Sequence, residues 1–268
     1  MDFSFQHLFP LWWSNLVVNT ERYVVFAVCT WAVLSLVLRG PLRARKIRGE
    51  SPAAGQMVTE FLFSIRSIAV FATVALAMKL MAPAGVYPLS DLADHWGPVW
   101  FAAALVLMIL GHDAFYYWTH RAMHRVAALR GIHARHHRSH NPSPFTAYSF
   151  DVREALLMAS FVFVWPFVVP TPWAVVPLFI VHQIVRNTLA HAGYELMPAR
   201  ADGRPVLDWL TTATHHDLHH AAPGSNFSLY FTWWDRWMGT ENPDYHAAFA
   251  RAVRRTTPVA GAPAPSTA

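Results

Sequence analysis

Residues Gly111 to His140, GHDAFYYWTHRAMHRVAALRGIHARHHRSH, join an apolar run to a dense set of histidines, seven of the sixteen in the chain. Two groups in this stretch are HRAMH at 120–124 and HARHH at 133–137. Histidines at i, i+3 and i+4 lie on one face of a helix, so each group presents its imidazoles in one direction. Neutral imidazole is the commonest metal ligand in proteins. The stretch therefore predicts a metal site where a helix leaves an apolar region.

A third group, HDLHH at 216–220, repeats the spacing of the second. The three groups supply eight imidazoles, more than one metal ion can use, and His191 after another apolar region could supply a ninth. We therefore expect two metal ions to share the set. Further histidines flank the groups as alternate ligands: His112, His140 and His215.

The composition is that of a membrane protein. The chain is 54% hydrophobic and only 14% charged, whereas about a quarter of a soluble domain is charged. The net charge of +5 comes from basic residues beside apolar runs, which we interpret as topology determinants and not as a nucleic-acid surface. The single cysteine, Cys29, excludes intramolecular disulfides and a multi-thiolate metal site.

Four apolar regions predict membrane-spanning helices at residues 23–39, 58–81, 98–118 and 155–190. Prolines break the last region, which we interpret as a hairpin of two short helices meeting at the turn VVPTPW. The basic loop at 39–50 indicates the cytoplasmic side of the membrane. Residues 83–96 lack Lys and Arg, which indicates that they lie on the opposite side. By alternation the histidines lie on the side of the basic loop. The expected fold is an all-α integral membrane protein with a cytoplasmic helical cap that holds the metal site.

This pattern divides the chain into four parts. Residues 1–22 are aromatic-rich and predict an interfacial segment, with a disordered leader as the alternative. Residues 23–98 form the N-terminal transmembrane helices and residues 99–249 the catalytic domain. Residues 250–268 are rich in Pro and Ala and predict a disordered tail.

Two carboxylates lie close to the histidine groups. Asp113 precedes His120 by two helical turns and could orient a ligand histidine, or pair with an arginine such as Arg121. Asp217 lies inside the third group but points away from the histidine face. It could support a ligand or cap the helix.

The stretches DAFYYWTHRAMH, HARHHRSHNPSPFTAYSFDVRE, NTLAHAGYE and THHDLHHAAPGSNFSLYFTWWDRWMGT resemble the fatty acid hydroxylase/sterol desaturase superfamily. The resemblance covers about residues 100 to 243, and SPFTAYSF and FTWWDRWMGT are closest to the sterol C5-desaturase branch. Some relatives carry a further histidine where this chain has Asn187, so one ligand position stays open. Many read Asn-Tyr-Gly where this chain has Asn226, Phe227 and Ser228. The ligands that the resemblance implies are His120, His124, His133, His136, His137, His191, His216, His219 and His220.

The resemblance also implies the activity. Its members hold two iron ions, which zinc can replace, and use O2 and electrons to hydroxylate or desaturate a C–H bond of a sterol or fatty-acyl lipid. The chain has no GxGxxG motif and no flavin or haem signature. Electrons would therefore come from a separate carrier, an acidic ferredoxin or cytochrome b5-like protein that docks on the basic face.

Two other functions remain open at this point. A zinc-dependent membrane hydrolase would need a glutamate base beside the metal, as in HExxH, and none of the three groups contains one. A metal transporter or sensor would distribute histidines and acids along a transmembrane path, whereas these cluster at helix ends.

Overall fold

Helices account for most of residues 4–254, the part of the chain that the computed structural model describes. No β-strand occurs in that range, only isolated bridges. The α-helices are α1 (Phe5–Ala32), α2 (Ala54–Met81), α3 (Pro88–Ala93), α4 (Gly97–Arg125), α5 (Arg130–His133), α6 (Val152–Val168), α7 (Val175–Ala190), α8 (Ala213–Ala221), α9 (Trp233–Trp237) and α10 (Tyr245–Arg254).

Three of these helices are long and apolar enough to cross a membrane. With their continuing turns they span Phe5–Val37, Ala54–Ala84 and Gly97–Arg125, and each contains an 18-residue stretch whose mean hydropathy is 1.4, 2.0 and 1.6 respectively. At 1.5 Å per residue each exceeds the roughly 30 Å hydrocarbon core of a bilayer. The last turns of α4 can therefore extend beyond the apolar region, and these turns carry His120 and His124.

The proline-rich region between residues 152 and 190 is a helical hairpin, as its sequence predicts. Helix α6 ends at Val168 and α7 begins at Val175, so the break falls at the turn containing Pro170 and Pro172. The two helices pack through Phe161 and Phe179, whose ring centroids are 5.8 Å apart. The hairpin returns the chain to the end at which the histidine groups lie.

The basic loop and the C-terminal cap lie at one end of the bundle. The Ile47 amide donates to the Gly193 carbonyl at 3.1 Å, and the Arg45 guanidinium donates to the Glu195 carbonyl at 3.1 Å. At the other end of α2, Asp91 and Asp94 accept hydrogen bonds from Trp173 in the hairpin turn. The 28 residues of α2 separate these two loops by about 42 Å, in agreement with the predicted alternation.

Some boundaries differ from those predicted. Helix α1 begins at Phe5 and continues through residue 23, so the structure has no break between an interfacial segment at 1–22 and a first span. The apolar and aromatic residues on both sides of Tyr23 sustain one helix. Helix α10 continues to Arg254, past the predicted start of a disordered tail at residue 250. The remainder of that tail, residues 255–268, lies outside the described residues.

The second histidine group is not a single helix, contrary to its spacing. Helix α5 ends at His133, and a separate 3₁₀ turn, His136–Arg138, follows. Four helical residues are too few to sustain a helix without tertiary support.

Candidate metal centre

The nine predicted ligands come together in two clusters, each of which could hold a metal ion. Within each cluster the ligand atoms lie within 4.8 Å of one another. The five-histidine cluster contains His120, His124, His133, His137 and His219, and the four-histidine cluster contains His136, His191, His216 and His220.

The helices distribute the sequence groups between the two clusters. His120 and His124 are one turn apart on α4 and face the same cluster. On α8, His219 faces the five-histidine cluster, while His216 and His220 are one turn apart and face the other. Because the second and third groups contribute to both clusters, the two candidate metal positions are adjacent and held by shared elements.

The Nε2 atoms converge at distances that suit coordination. Neighbouring Nε2 atoms are 3.0 to 3.3 Å apart in the five-histidine cluster and 2.9 to 3.3 Å apart in the four-histidine cluster. A metal–nitrogen bond of about 2.1 Å places two ligands at right angles about 3.0 Å apart. Imidazole suits iron, zinc, copper and nickel. The donor set therefore fits a pair of transition-metal ions.

Hydrogen bonds to Nδ1 leave Nε2 free to bind a metal. A ring whose Nδ1–H donates to an acceptor keeps its lone pair on Nε2. Four ligands are fixed in this way: His120 by the Phe227 carbonyl at 2.8 Å, His133 by Glu154 at 2.5 Å, His191 by the Asn187 carbonyl at 2.8 Å and His219 by the Ser225 carbonyl at 2.7 Å. In contrast, the buried Nδ1 atoms of His136, His216 and His220 have no protein partner among the described residues.

The surroundings keep these imidazoles neutral. Burial lowers the pKa of His137 to about 3, with further contributions from neighbouring histidines. Burial also lowers the pKa of His191 to about 4, against a small opposing effect of its bond to the Asn187 carbonyl. A neutral imidazole is the form that binds metal, so protons do not compete for the site near neutral pH.

Neither Asp113 nor Asp217 contacts a ligand histidine, and each has a role different from the one that the sequence predicts. Asp113 accepts hydrogen bonds from the Tyr230 amide at 2.8 Å and from the Trp233 indole at 3.1 Å. It therefore fixes the loop before α9, and it pairs with no arginine in the part of the chain that the structure describes. Asp217 forms an ion pair with Arg48 at 2.8 Å, which joins the basic loop to α8. In both cases the partner lies more than 100 residues away in the chain.

The other candidate ligands lie outside both clusters. The Asn187 side chain donates to the Ala147 carbonyl at 2.6 Å. His112 is buried among aromatic rings, His140 is exposed, and His215 lies 3.6 Å from Asp235.

Two buried glutamates contribute to the centre although the sequence interpretation gave them no role. Glu154 on α6 is 1% exposed and accepts the Nδ1–H of His133. Glu195 accepts from the Thr214 amide at 3.0 Å and so satisfies a free N–H at the start of α8. The sequence does contain a signal for Glu154, because it is a glutamate in an apolar region. It lies one turn after Asp151, the N-cap residue of α6.

A cavity of about 590 Å³ lies within the bundle between α1, α2, α4, α6 and α7, next to the metal centre. Tyr116 and Phe150 line its inner end. Their ring centroids lie 5.0 Å from that of His120 and 5.4 Å from that of His136. The cavity is mostly apolar, and its volume is typical of a small-molecule site.

Comparisons with known proteins match the region that carries the histidines. A family model described as Fatty acid hydroxylase matches residues 105–240. Lathosterol oxidase of Homo sapiens is 24% identical over 85% of this chain and 74% of its own length. C-4 methylsterol oxidase of Schizosaccharomyces pombe is 33% identical over 56% of this chain and 50% of its own. A very-long-chain aldehyde decarbonylase of Oryza sativa is 27% identical over 59% of this chain and 27% of its own. No solved structure was found to match the chain.

Proposed function

Because the chain belongs to the fatty acid hydroxylase family, we propose that it is a membrane-bound oxidoreductase that uses O2 and external electrons to hydroxylate or desaturate a C–H bond of a lipid. The observation that carries the proposal is the convergence of nine imidazoles in two adjacent clusters, beside an apolar cavity whose lining residues Tyr116 and Phe150 contact His120 and His136. Relatives named as sterol oxidases and as an aldehyde decarbonylase support the oxidation of a lipid.

The nine histidines would hold two iron ions, with zinc as a substitute. When bound, iron supplies the redox chemistry by which O2 is reduced while an unactivated C–H bond is oxidised. Hydroxylation consumes one O2, two electrons and two protons and releases one water. Desaturation consumes the same and releases two waters. In both cases the lipid loses two electrons and a carrier supplies two.

The chain's own residues fix the orientation of the histidine rings and keep water away from the clusters. Glu154, Phe227 and Ser225 fix ring orientation through the Nδ1 atoms of His133, His120 and His219. Tyr116 and Phe150 form an apolar boundary between the clusters and the cavity. An apolar chain in the cavity would exclude water from the clusters and direct a carbon toward them.

Exposed basic residues around the centre support docking of an acidic electron carrier such as a ferredoxin or cytochrome b5-like protein. On the topology proposed from the basic loop, this face is cytoplasmic. The exposed arginines at this end include Arg39, Arg43, Arg125, Arg130 and Arg138.

The hydrolase alternative needs a carboxylate base that faces the metal-bound water. Glu154 lies behind His133, on the Nδ1 side, and so cannot take that role. The transporter alternative needs ligands along a path through the membrane, whereas the nine histidines gather at one end. Neither alternative has an observation in its favour.

The test is an assay in membranes that contain the protein and an electron donor, with and without O2, in which candidate sterols and fatty-acyl lipids are followed by mass. We expect a product that gains one oxygen atom or loses two hydrogen atoms. Product should vanish without O2 and in the His137→Ala variant. His140→Ala is the matched control, because His140 is exposed and belongs to neither cluster. A lipid product that forms equally well without O2 would refute the proposal.

A further inference from the structure

The cavity is lined in part by a group of polar side chains that the proposed chemistry does not use. Asn15, Asn19 and Arg22 lie on one face of α1, and Lys79 lies near the end of α2. All four line the cavity. Lys79 Nζ donates to Asn15 Oδ1 at 2.5 Å, and the Arg22 guanidinium donates to Asn19 Oδ1 at 3.2 Å.

The two cations in this group have no acidic partner. Among residues 4–254, no carboxylate oxygen lies within 4 Å of Lys79 or Arg22. The carboxylates near this end, Asp91 and Asp94, instead accept hydrogen bonds from Trp173. Arg22 is half-buried within the first span, where an unpaired charge is costly and commonly marks a substrate path, whereas Lys79 is exposed in the last turn of α2.

Asn15 gives a second, independent indication of a ligand. Asn15 is only 5% exposed, and its Nδ2 atom is buried without a hydrogen-bond partner among residues 4–254. A buried donor left unpaired is energetically costly. Because the Asn15 carbonyl accepts from Lys79, the group offers the cavity donors and positive charge only.

Asn15 and Lys79 lie at a fixed distance from the metal centre. Tyr148, whose ring centroid is 6.2 Å from that of Phe150, contacts Tyr23 on α1 and Phe71 on α2, with ring centroids 5.7 and 5.2 Å away. Asn15 and Lys79 each lie eight residues from those contacts, which is about 12 Å along the helices. The apolar part of the cavity therefore separates Asn15 and Lys79 from the histidines, whereas Arg22 lies at the level of Tyr23.

We propose that the cavity takes an amphiphile with a carboxylate head, which binds at Lys79 and Asn15 with its apolar chain directed toward the histidine clusters. This inference rests on the proposed function and narrows its substrate to an acidic lipid, in contrast to the sterols in the names of the relatives. Because the head is held at one end, the oxidised carbon should lie at a constant count from the carboxylate when the chain is lengthened.

The experiment measures binding of labelled hexadecanoate to the purified protein in nanodiscs of neutral lipid, without O2 or an electron donor. Methyl hexadecanoate, hexadecanol and cholesterol are the competitors. A hydrogen bond to a charged group contributes about 1.5–3 kcal/mol, so we expect the acid to bind at least about tenfold more tightly than its ester or alcohol. Lys79→Met and Asn15→Leu should abolish the preference.

Two variants serve as controls. Lys79→Arg retains the charge and should retain the preference, which separates recognition from a folding defect. Lys46→Met makes the same chemical change at the opposite end of the bundle. This variant should show the same preference for the acid as the unaltered protein. Equal binding of acid, ester and alcohol, displacement by cholesterol at equal concentration, or an unchanged preference in Lys79→Met would overturn the inference. Acid binding without any lipid oxidation would contradict only the proposed function.

Discussion

Glu154 is the residue outside the nine histidines with the most direct influence on the five-histidine cluster. It is buried in α6 and accepts the Nδ1–H of His133. Removal of such an acceptor typically lowers metal affinity or activity by about 10- to 100-fold. We therefore expect Glu154→Leu to lower the metal content of the purified protein from two ions per chain toward one, as measured by elemental analysis after dialysis against a chelator.

The matched control for this prediction is Asp151→Asn in the same helix. Asp151 caps α6 through the Arg153 amide, and asparagine caps a helix equally well. Its metal content should not change. If Glu154→Leu retains both ions under the same dialysis, the carboxylate does not orient His133.

The two clusters should differ in affinity. The five-histidine cluster has five ligands, of which three donate from Nδ1 to protein acceptors, whereas three of the four ligands in the other cluster have no such partner. We expect a graded chelator series to remove the ion of the four-histidine cluster first. His220→Ala should then abolish the early phase and His219→Ala the late phase. Loss of both ions in a single phase in the unaltered protein would contradict this order.

At the scale of elements, buried carboxylates hold the loop that leads into α9 against the histidines. Asp235 accepts from the Phe227 and Ser228 amides at 2.9 Å and from the Thr240 hydroxyl at 2.8 Å. The Phe227 carbonyl in turn accepts from His120. The position of α9 therefore determines where the Phe227 carbonyl lies, and with it the orientation of the His120 ring.

Replacement of Asp235 by alanine should destabilise the protein as well as the centre. Two buried amides would lose their acceptor, at about 1–3 kcal/mol each, so the free energy of unfolding should fall by at least about 2 kcal/mol. Denaturation of the purified protein in detergent measures this loss. The exposed substitution Glu50→Ala should change it little. A stability loss of the same size in Glu50→Ala would show that the effect is not specific to the loop.

These elements also show what the sequence could and could not predict. The long helices and the hairpin were predictable because apolar length and proline are local properties. The grouping of the nine histidines followed from their spacing, yet their division between the two clusters did not, because only the packing of the folded elements decides which ring faces which cluster, even on the unbroken helix α8. The roles of Asp113 and Asp217 were also beyond reach, since Tyr230 and Arg48 approach them only in the folded chain.

At the scale of the whole molecule, the metal centre and the basic loop share one end, and the two ends of the bundle differ in charge. Arg48 is bonded to Asp217 on α8, which fixes the loop at 39–50 beside the third histidine group. The opposite end presents Asp91, Asp94 and His95. If the positive end is cytoplasmic, the electron carrier and the donor group at Lys79 lie on opposite sides of the membrane core.

Cysteine labelling tests this arrangement in a Cys29→Ser background. Arg43→Cys and His140→Cys place exposed thiols at the histidine end, and His95→Cys places one at the other end. In sealed vesicles of known orientation, a membrane-impermeant maleimide should label Arg43→Cys and His140→Cys from the cytoplasmic side and His95→Cys from the opposite side. The reason is that α2 and α4 each exceed the hydrocarbon thickness, so the loops at their two ends cannot share a side without leaving apolar surface in water. Labelling of all three from one side would require these helices to lie along the membrane and would refute the four-region topology. Labelling of Arg43→Cys and His140→Cys from the non-cytoplasmic side, with His95→Cys labelled from the cytoplasmic side, would leave the fold unchanged. It would place the metal centre on the side opposite to the cytoplasm.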